Sequence, residues 1–287
     1  MPKEPQDALV NSQVLSEKAY RDTSNLDKRK SLYQYTHPYF NIEDEVIRLH
    51  SLRDDESLLD VGCGTGKLLL KTAELFPNAR LVGLDISEGM FQAAQKRVRE
   101  GGLNISFQTG DVQHIPFLDN SFDGVVAMHM LYHAPDIHQA LAEMARVVKP
   151  DGMILITANS MKSRTKLRLL KAQAAVVLGR EIFTDPNMRF NLEIGMEMVA
   201  SHFNHVALVP FESTLRITDP QPYLDYFGSL REFWQPTPTD EEWTRVLDLI
   251  RKNIKAQIAT EGEFSDKTGF GVIIASNSPM SAELIHR

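Results

Sequence analysis

A chain of 287 residues can bury a large core as one domain carrying a cap. Hydrophobic residues make up 43% and charged residues 24%, a globular balance, and no apolar run approaches the length of a membrane span. The formal net charge of −7 opposes contact with nucleic acid phosphates, and the lone Cys63 excludes an intrachain disulfide framework or a cysteine-rich zinc site.

The expected elements follow in chain order. The polar start, Met1-Pro2-Lys3-Glu4-Pro5-Gln6-Asp7, has no apolar signal core, which makes a cytoplasmic location the expectation. Residues 1–50 read as helical, a lid segment broken by the tyrosine-rich stretch from Ser31 to Tyr39. Ser57–Val61 reads as a buried strand, and Lys67–Phe76 as a helix with Leu68, Leu69, Ala73 and Phe76 on one face. Arg80–Asp85 is a second strand. Ser87 starts a helix that runs to Glu100 and stops at Gly101-Gly102, where glycine accepts a left-handed backbone. Asn104–Gln108 and Phe122–Met128 give two more strands. Asp136 caps a helix to about Val148, and Lys149-Pro150-Asp151-Gly152 turns the chain into a fifth strand, Met153–Thr157. Arg164–Leu178 reads as a helix. Val206–Phe211 and Gly271–Ser276 are late strands, and residues 216–262 form an aromatic, proline-containing insertion.

Strands alternating with helices specify a mainly parallel sheet, doubly wound with helices on both faces. Seven strands are expected, with ligands at their carboxyl ends near the switch in strand order. The expected organisation is a lid over 1–50, a ligand-binding core over 51–160, and remaining strands with cap helices over 161–287, all within one structural domain.

The stretch Leu59-Asp60-Val61-Gly62-Cys63-Gly64-Thr65-Gly66-Lys67 leaves the first strand with one side of the chain stripped of side chains. Taken alone, it suits a phosphate, a dinucleotide or another nucleoside. A Walker loop needs four residues between its first glycine and the glycine–lysine pair, then Ser or Thr. Here three residues separate Gly62 from Gly66, and Leu68 follows Lys67. A dinucleotide fingerprint needs a small residue where Lys67 or Leu69 stands.

The segment from Leu59 to Gly66 resembles the first motif of class I S-adenosylmethionine-dependent methyltransferases, and the resemblance extends past the glycines. Asp85 ends the second strand 19 residues after Gly66, Gly110-Asp111-Val112 follows the third, Asn120–Val126 is similar to the family's fourth-strand signature, and Arg146–Gly152 to the turn before its fifth. The small-molecule branch, typified by ubiquinone and menaquinone biosynthesis, is the most similar. The resemblance covers residues 57–158 and is faint elsewhere. It implies a Rossmann-like fold, S-adenosyl-L-methionine as cofactor and S-adenosyl-L-homocysteine as product. It also implies that Gly62, Cys63, Gly64 and Gly66 line the methionine and ribose, and that Asp60 meets the ammonium group. Asp85 would accept the ribose hydroxyls. Gly110 and Asp111 would reach the adenine, with Asp111 at its amino group. Ile86, Met90 and Val112 would flank ribose and base, Met128 would wall the methionine, and Tyr33 and Tyr35 would close over the cofactor as lid residues.

The segment Met128-His129-Met130-Leu131-Tyr132-His133 leaves the fourth strand where the acceptor is expected. His133, matching a histidine common in related small-molecule enzymes, and His129 are the candidate general bases, since imidazole titrates near neutral pH. Their spacing also suits two metal ligands, but Met130 stands where a zinc protease has Glu and no third ligand is evident, so no metal is expected. The [ND]-P-P-[YF] tetrapeptide of base amino-group methylation is absent after the fourth strand. A small-molecule acceptor is therefore expected ahead of RNA or protein, with a binding-only regulator as a further alternative. The atom methylated stays open.

Overall fold

The computed structural model describes residues 31–50, 52–182, 186–234 and 236–281. Residues 1–30, on which most of the expected lid falls, lie outside the described residues. The strands are β1 (Thr36–His37), β2 (Ser57–Val61), β3 (Arg80–Asp85), β4 (Ile105–Thr109), β5 (Phe122–Met128), β6 (Val148–Asn159), β7 (His205–Ile217) and β8 (Phe264–Ser276). The α-helices are α1 (Ile42–His50), α2 (Lys67–Leu75), α3 (Glu88–Gly101), α4 (Ile137–Val147), α5 (Thr165–Leu178), α6 (Leu192–Ala200), α7 (Gln221–Gly228) and α8 (Asp240–Glu261).

The chain divides into two compact units. The larger comprises Phe40–Ser160, Pro186–Phe211 and the described part of Phe270–Arg287. Its strands lie in the order β7-β8-β6-β5-β2-β3-β4. The pairs from β6 to β4 are parallel, while β8 runs antiparallel to β6. The chain winds outward from β2 to β4, then returns to β5 on the other side of β2. The carboxyl ends of β2 and β5 therefore form the switch point.

Alternation along the central strands explains the two-sided core. Leu59 and Val61 of β2, Val125 and Ala127 of β5, and Ile154 and Ile156 of β6 face one cluster with Leu141 and Met144 of α4. Leu58, Val126 and Leu155 face the other, with Leu49 of α1, Leu69 of α2 and Phe91 of α3. A side-chain period of two puts neighbours on opposite faces, and helices cover both, so these strands carry almost unbroken apolar runs.

The smaller unit comprises the described part of Met1–Tyr39, Met161–Asp185 and Glu212–Gly269. Helices α5, α7 and α8 pack around Tyr223, Phe227, Trp234 and Trp243, each 5% exposed or less. The insertion's aromatic residues thus fill this unit's own core. A capping box starts α8: Thr239 Oγ1 accepts from Glu242 N, and the Glu242 carboxylate accepts from Thr239 N.

Two expectations need correction. Among the described residues the sheet has eight strands rather than seven, because Thr36 and His37 pair antiparallel with Leu215 and Thr214. The turn expected at Lys149–Gly152 lies inside β6: the pairing jumps from Phe122–Val148 to Gly124–Met153, and the extra residues bulge within a continuous strand.

Candidate active site

The loop from β2 to α2 is shaped by close packing. Gly62 and Gly66 sit at φ +67° and +66°. A Cβ on Gly62 would come within 2.8 Å of the Met130 side chain, and one on Gly66 within 2.8 Å of the Phe107 ring. Both the left-handed backbone and the lack of space select glycine. Gly62 N and Cys63 N donate to Leu84 O, tying the turn to the end of β3. Gly64 lies in the left-handed region too, and its N–H donates to Asp85 Oδ2 at 2.8 Å.

Asp85 is held by this turn on one side and by its own helix on the other, since Oδ1 accepts from Ser87 N at 2.9 Å. Ser87 starts α3 without a side-chain capping bond, so the acceptor at that terminus is Asp85 rather than the serine expected from the sequence. Each carboxylate oxygen retains a second lone pair. Burial raises the carboxyl's pKa, and the amides of Ser87, Gly64 and Ile86 oppose that rise.

Asp60 is more extreme. It is 2% exposed, and its Oδ1 is buried with no hydrogen-bond partner among the described residues. Burial raises its pKa well above the carboxylate range, and the negative charges of Asp85 and Glu43 raise it further. Glu43, itself buried on α1, pairs with Lys67 at 3.1 Å. A buried carboxyl with an unmet oxygen beside a second carboxylate is a poor structural element. It suits a group that brings a cation and hydrogen-bond donors.

The other expected residues surround these two. Asp111 Oδ1 accepts from Gln113 N at 2.9 Å, and its carboxylate also takes the Gln113 amide. Gly110 N donates to Asp85 O, linking the ends of β3 and β4. Ile86 is 42% exposed beside Asp85, while Met90 and Val112 are buried. Met128 ends β5, partly buried. Cys63 is buried, and burial pushes its thiol well up, so it packs as a neutral group.

His129 has φ +48°, and its N–H donates to Thr157 Oγ1 at 3.0 Å. Its ring stands edge-on to Phe270, with centroids 6.3 Å apart. His133 ends the 3₁₀ turn Leu131–His133, half-buried against Tyr132. The two histidines therefore do not share a helix face. Among the described residues no group of three or more His, Cys, Asp or Glu could hold a metal. Arg189 fixes this loop by donating to Tyr132 O at 2.7 Å and Pro135 O at 2.9 Å.

Tyr33 and Tyr35 belong to the smaller unit. Tyr33 OH accepts a hydrogen bond from Arg164 Nη2, and Tyr35 packs against that unit's core. Sequence reasoning missed Glu43, Met130, Thr157 and Arg189. Of these only Thr157 carried a signal, a polar residue at the carboxyl end of a strand beside the switch point.

The chain is similar to known methyltransferases over part of its length. The family model described as a methyltransferase domain matches residues 58–152. The demethylmenaquinone methyltransferase of Symbiobacterium thermophilum is 37% identical over 114 residues, 39% of this chain and 45% of that protein. Methyltransferase GfsG of Streptomyces halstedii is 40% identical over 105 residues, 34% of this chain and 36% of that one. The chain thus spans less than half the length of these curated relatives. Among solved structures, phosphoethanolamine N-methyltransferase 2 of Haemonchus contortus, bound to S-adenosylhomocysteine, superposes with a TM-score of 0.57 at 17% identity, over 94% of this chain and 61% of that one. At that identity the likeness carries the fold alone. Residues 58–152, which carry Asp60, the three glycines, Asp85 and Asp111, are thus similar to methyltransferase domains.

Proposed function

We propose that the protein is an S-adenosylmethionine-dependent methyltransferase whose acceptor is a small molecule. The observation that carries this reading is Asp60, a buried carboxyl with an unpartnered oxygen beside Asp85, at a turn that glycine strips of side chains. An amino-acid ammonium group would meet Asp60. The free lone pairs on Asp85 would accept two ribose hydroxyls, and Ile86, Met90 and Val112 would supply apolar contact for the sugar and base. Asp111 would accept from the adenine amino group beside Gly110, and Met128 would lie against the methionine chain. The bound cofactor supplies an electrophilic methyl group with a good leaving group.

This chain's contribution is then mainly alignment of the nucleophile. His133 or His129 would take the proton from an acceptor that must lose one. Two observations favour a small molecule: the net charge of −7 opposes RNA, and the similar curated proteins include a demethylmenaquinone methyltransferase. The test is release of S-adenosylhomocysteine across panels of phenols, amines and carboxylic acids, with RNA as a separate arm. Turnover with a small acceptor supports the reading. Turnover only with RNA, or cofactor binding with no turnover on any arm, overturns it in favour of a macromolecular substrate or a binding-only role.

A further inference from the structure

The smaller unit holds a second polar cluster, built on Arg164. This residue precedes α5 with φ +54°, a left-handed conformation uncommon for a side-chain-bearing residue. Its N–H donates to Lys267 O at 2.6 Å. Its guanidinium donates from Nε to Thr268 Oγ1 at 3.4 Å, from Nη1 to Tyr226 OH at 3.2 Å, and from Nη2 to Tyr33 OH. Cζ also lies 5.0 Å from the Tyr33 ring centre and 5.8 Å from that of Tyr226.

The donor count does not balance. A guanidinium has five N–H groups and no acceptor. Three nitrogens use hydroxyl oxygens as acceptors, so each of those hydroxyls still has a hydrogen to give. Among the described residues, no acceptor takes the hydrogens of Tyr33, Tyr226 or Thr268, and no carboxylate pairs with Arg164. The nearby acidic residue, Asp266, is 3% exposed and already engaged. It accepts from Lys166 N at 3.2 Å, from Leu167 N at 3.0 Å and from Tyr223 OH at 3.3 Å. Its charge therefore meets the amino-terminal turn of α5 rather than the guanidinium.

A cavity opens beside this cluster. Tyr33, Arg164 and Thr268 line it together with Leu32, Leu167 and Leu215, and its volume is about 20 Å³. That is room for one small polar group, not a whole metabolite. The surplus is of donors around one positive charge, so the complementary group is an anion rich in acceptors. A carboxylate matches the guanidinium fork in shape. Asp266 also lines the cavity and would repel a dianion such as phosphate.

We propose that Arg164, Tyr33 and Thr268 form a receptor for the carboxylate of a small organic acid, with Tyr226 holding the guanidinium in place from behind. The assignment goes beyond methyl transfer and does not depend on it, because its readout is binding to the smaller unit.

The test follows the backbone amide NMR signal of Thr268, which lines the cavity, in the full chain during titration with sodium acetate. Sodium chloride at matched ionic strength, acetamide and inorganic phosphate are the comparisons. A saturable shift with acetate alone is expected, weakened about tenfold or more by Arg164→Lys and less by Tyr33→Phe. Tyr33→Phe keeps the ring and tests the hydroxyl without emptying the site. An equal shift with chloride, acetate affinity unchanged in both variants, or tighter binding of phosphate would each overturn the assignment.

Discussion

Replacing Asp60 with Asn separates the two demands on this residue. The wild-type carboxyl is 2% exposed with one oxygen unpartnered, and burial followed by Asp85 and Glu43 raises its pKa. A carboxyl whose folded pKa is raised leaves stability undiminished below its unfolded value of 3.8, and stability falls as pH rises from there to the folded pKa. Asn has no charge to bury, so Asp60→Asn should stabilise the free protein at neutral pH by about 0.5–2 kcal/mol, a gain typical of relieving functional-site strain. On a chain of this size that raises Tm by roughly 2–4 °C per kcal/mol. The gain should disappear below about pH 3.8, where both states carry the protonated acid. Cofactor affinity should move the other way. Loss of a hydrogen bond to a charged group costs about 1.5–3 kcal/mol, a fall of about ten- to 150-fold. Thermal melts from pH 3 to 8 and calorimetry with S-adenosylhomocysteine, each on wild type and variant, measure both effects. A variant that is no more stable at pH 7 and binds as tightly as wild type would refute the reasoning and make Asp60 a strand-end structural residue.

Other perturbations give separate readouts. Asp85→Ala should weaken S-adenosylhomocysteine binding by roughly 2–3 kcal/mol through loss of a charged acceptor, measured by calorimetry. Gly62→Ala should destabilise by about 1–2 kcal/mol from the left-handed backbone alone, with further loss where the methyl meets Met130, read from chemical denaturation. His50 is buried, both ring nitrogens lack partners among the described residues, and burial lowers its pKa from 6.5 to about 4 against the pull of Asp123. The folded state thus resists protonation, so stability should fall by about 3 kcal/mol as pH drops from 6.5 towards 4, and His50→Leu should flatten that slope in pH-resolved denaturation. Gly124→Ala should be strongly destabilising, because its Cβ would lie 1.7 Å from His50 Nε2, and a normal melting temperature would contradict that packing.

The parts legible in the sequence were those governed by local pattern. Strands β2, β3 and β5 have the expected boundaries because each is a short apolar run closed by a distinct break in pattern. Asp136 caps α4 as expected, accepting from Gln139 N. Elements set by distant partners were harder to read. The outer half of β7 buries Leu215 and Ile217 but carries the polar Glu212, Ser213, Thr214 and Arg216, and its pairing with β1 joins positions far apart in the chain. Lys149-Pro150-Asp151-Gly152 has the composition of a turn, yet pairing with β5 draws it into a bulged strand. Within the site, the motif residues could be found because glycine and Asp stand out between apolar runs. Met130 could not, since nothing local shows that its side chain covers Gly62. Arg164 lay at the start of an expected helix and gave no sign that two tyrosines and a threonine would surround it.

The most direct test of the central claim is calorimetric titration of the full chain with S-adenosyl-L-methionine, repeated in the presence of NADH. Binding at one site per chain, unaffected by NADH, is the result predicted by Asp60, Asp85 and the glycine turn. No heat with S-adenosyl-L-methionine, or its displacement by NADH, would contradict the account.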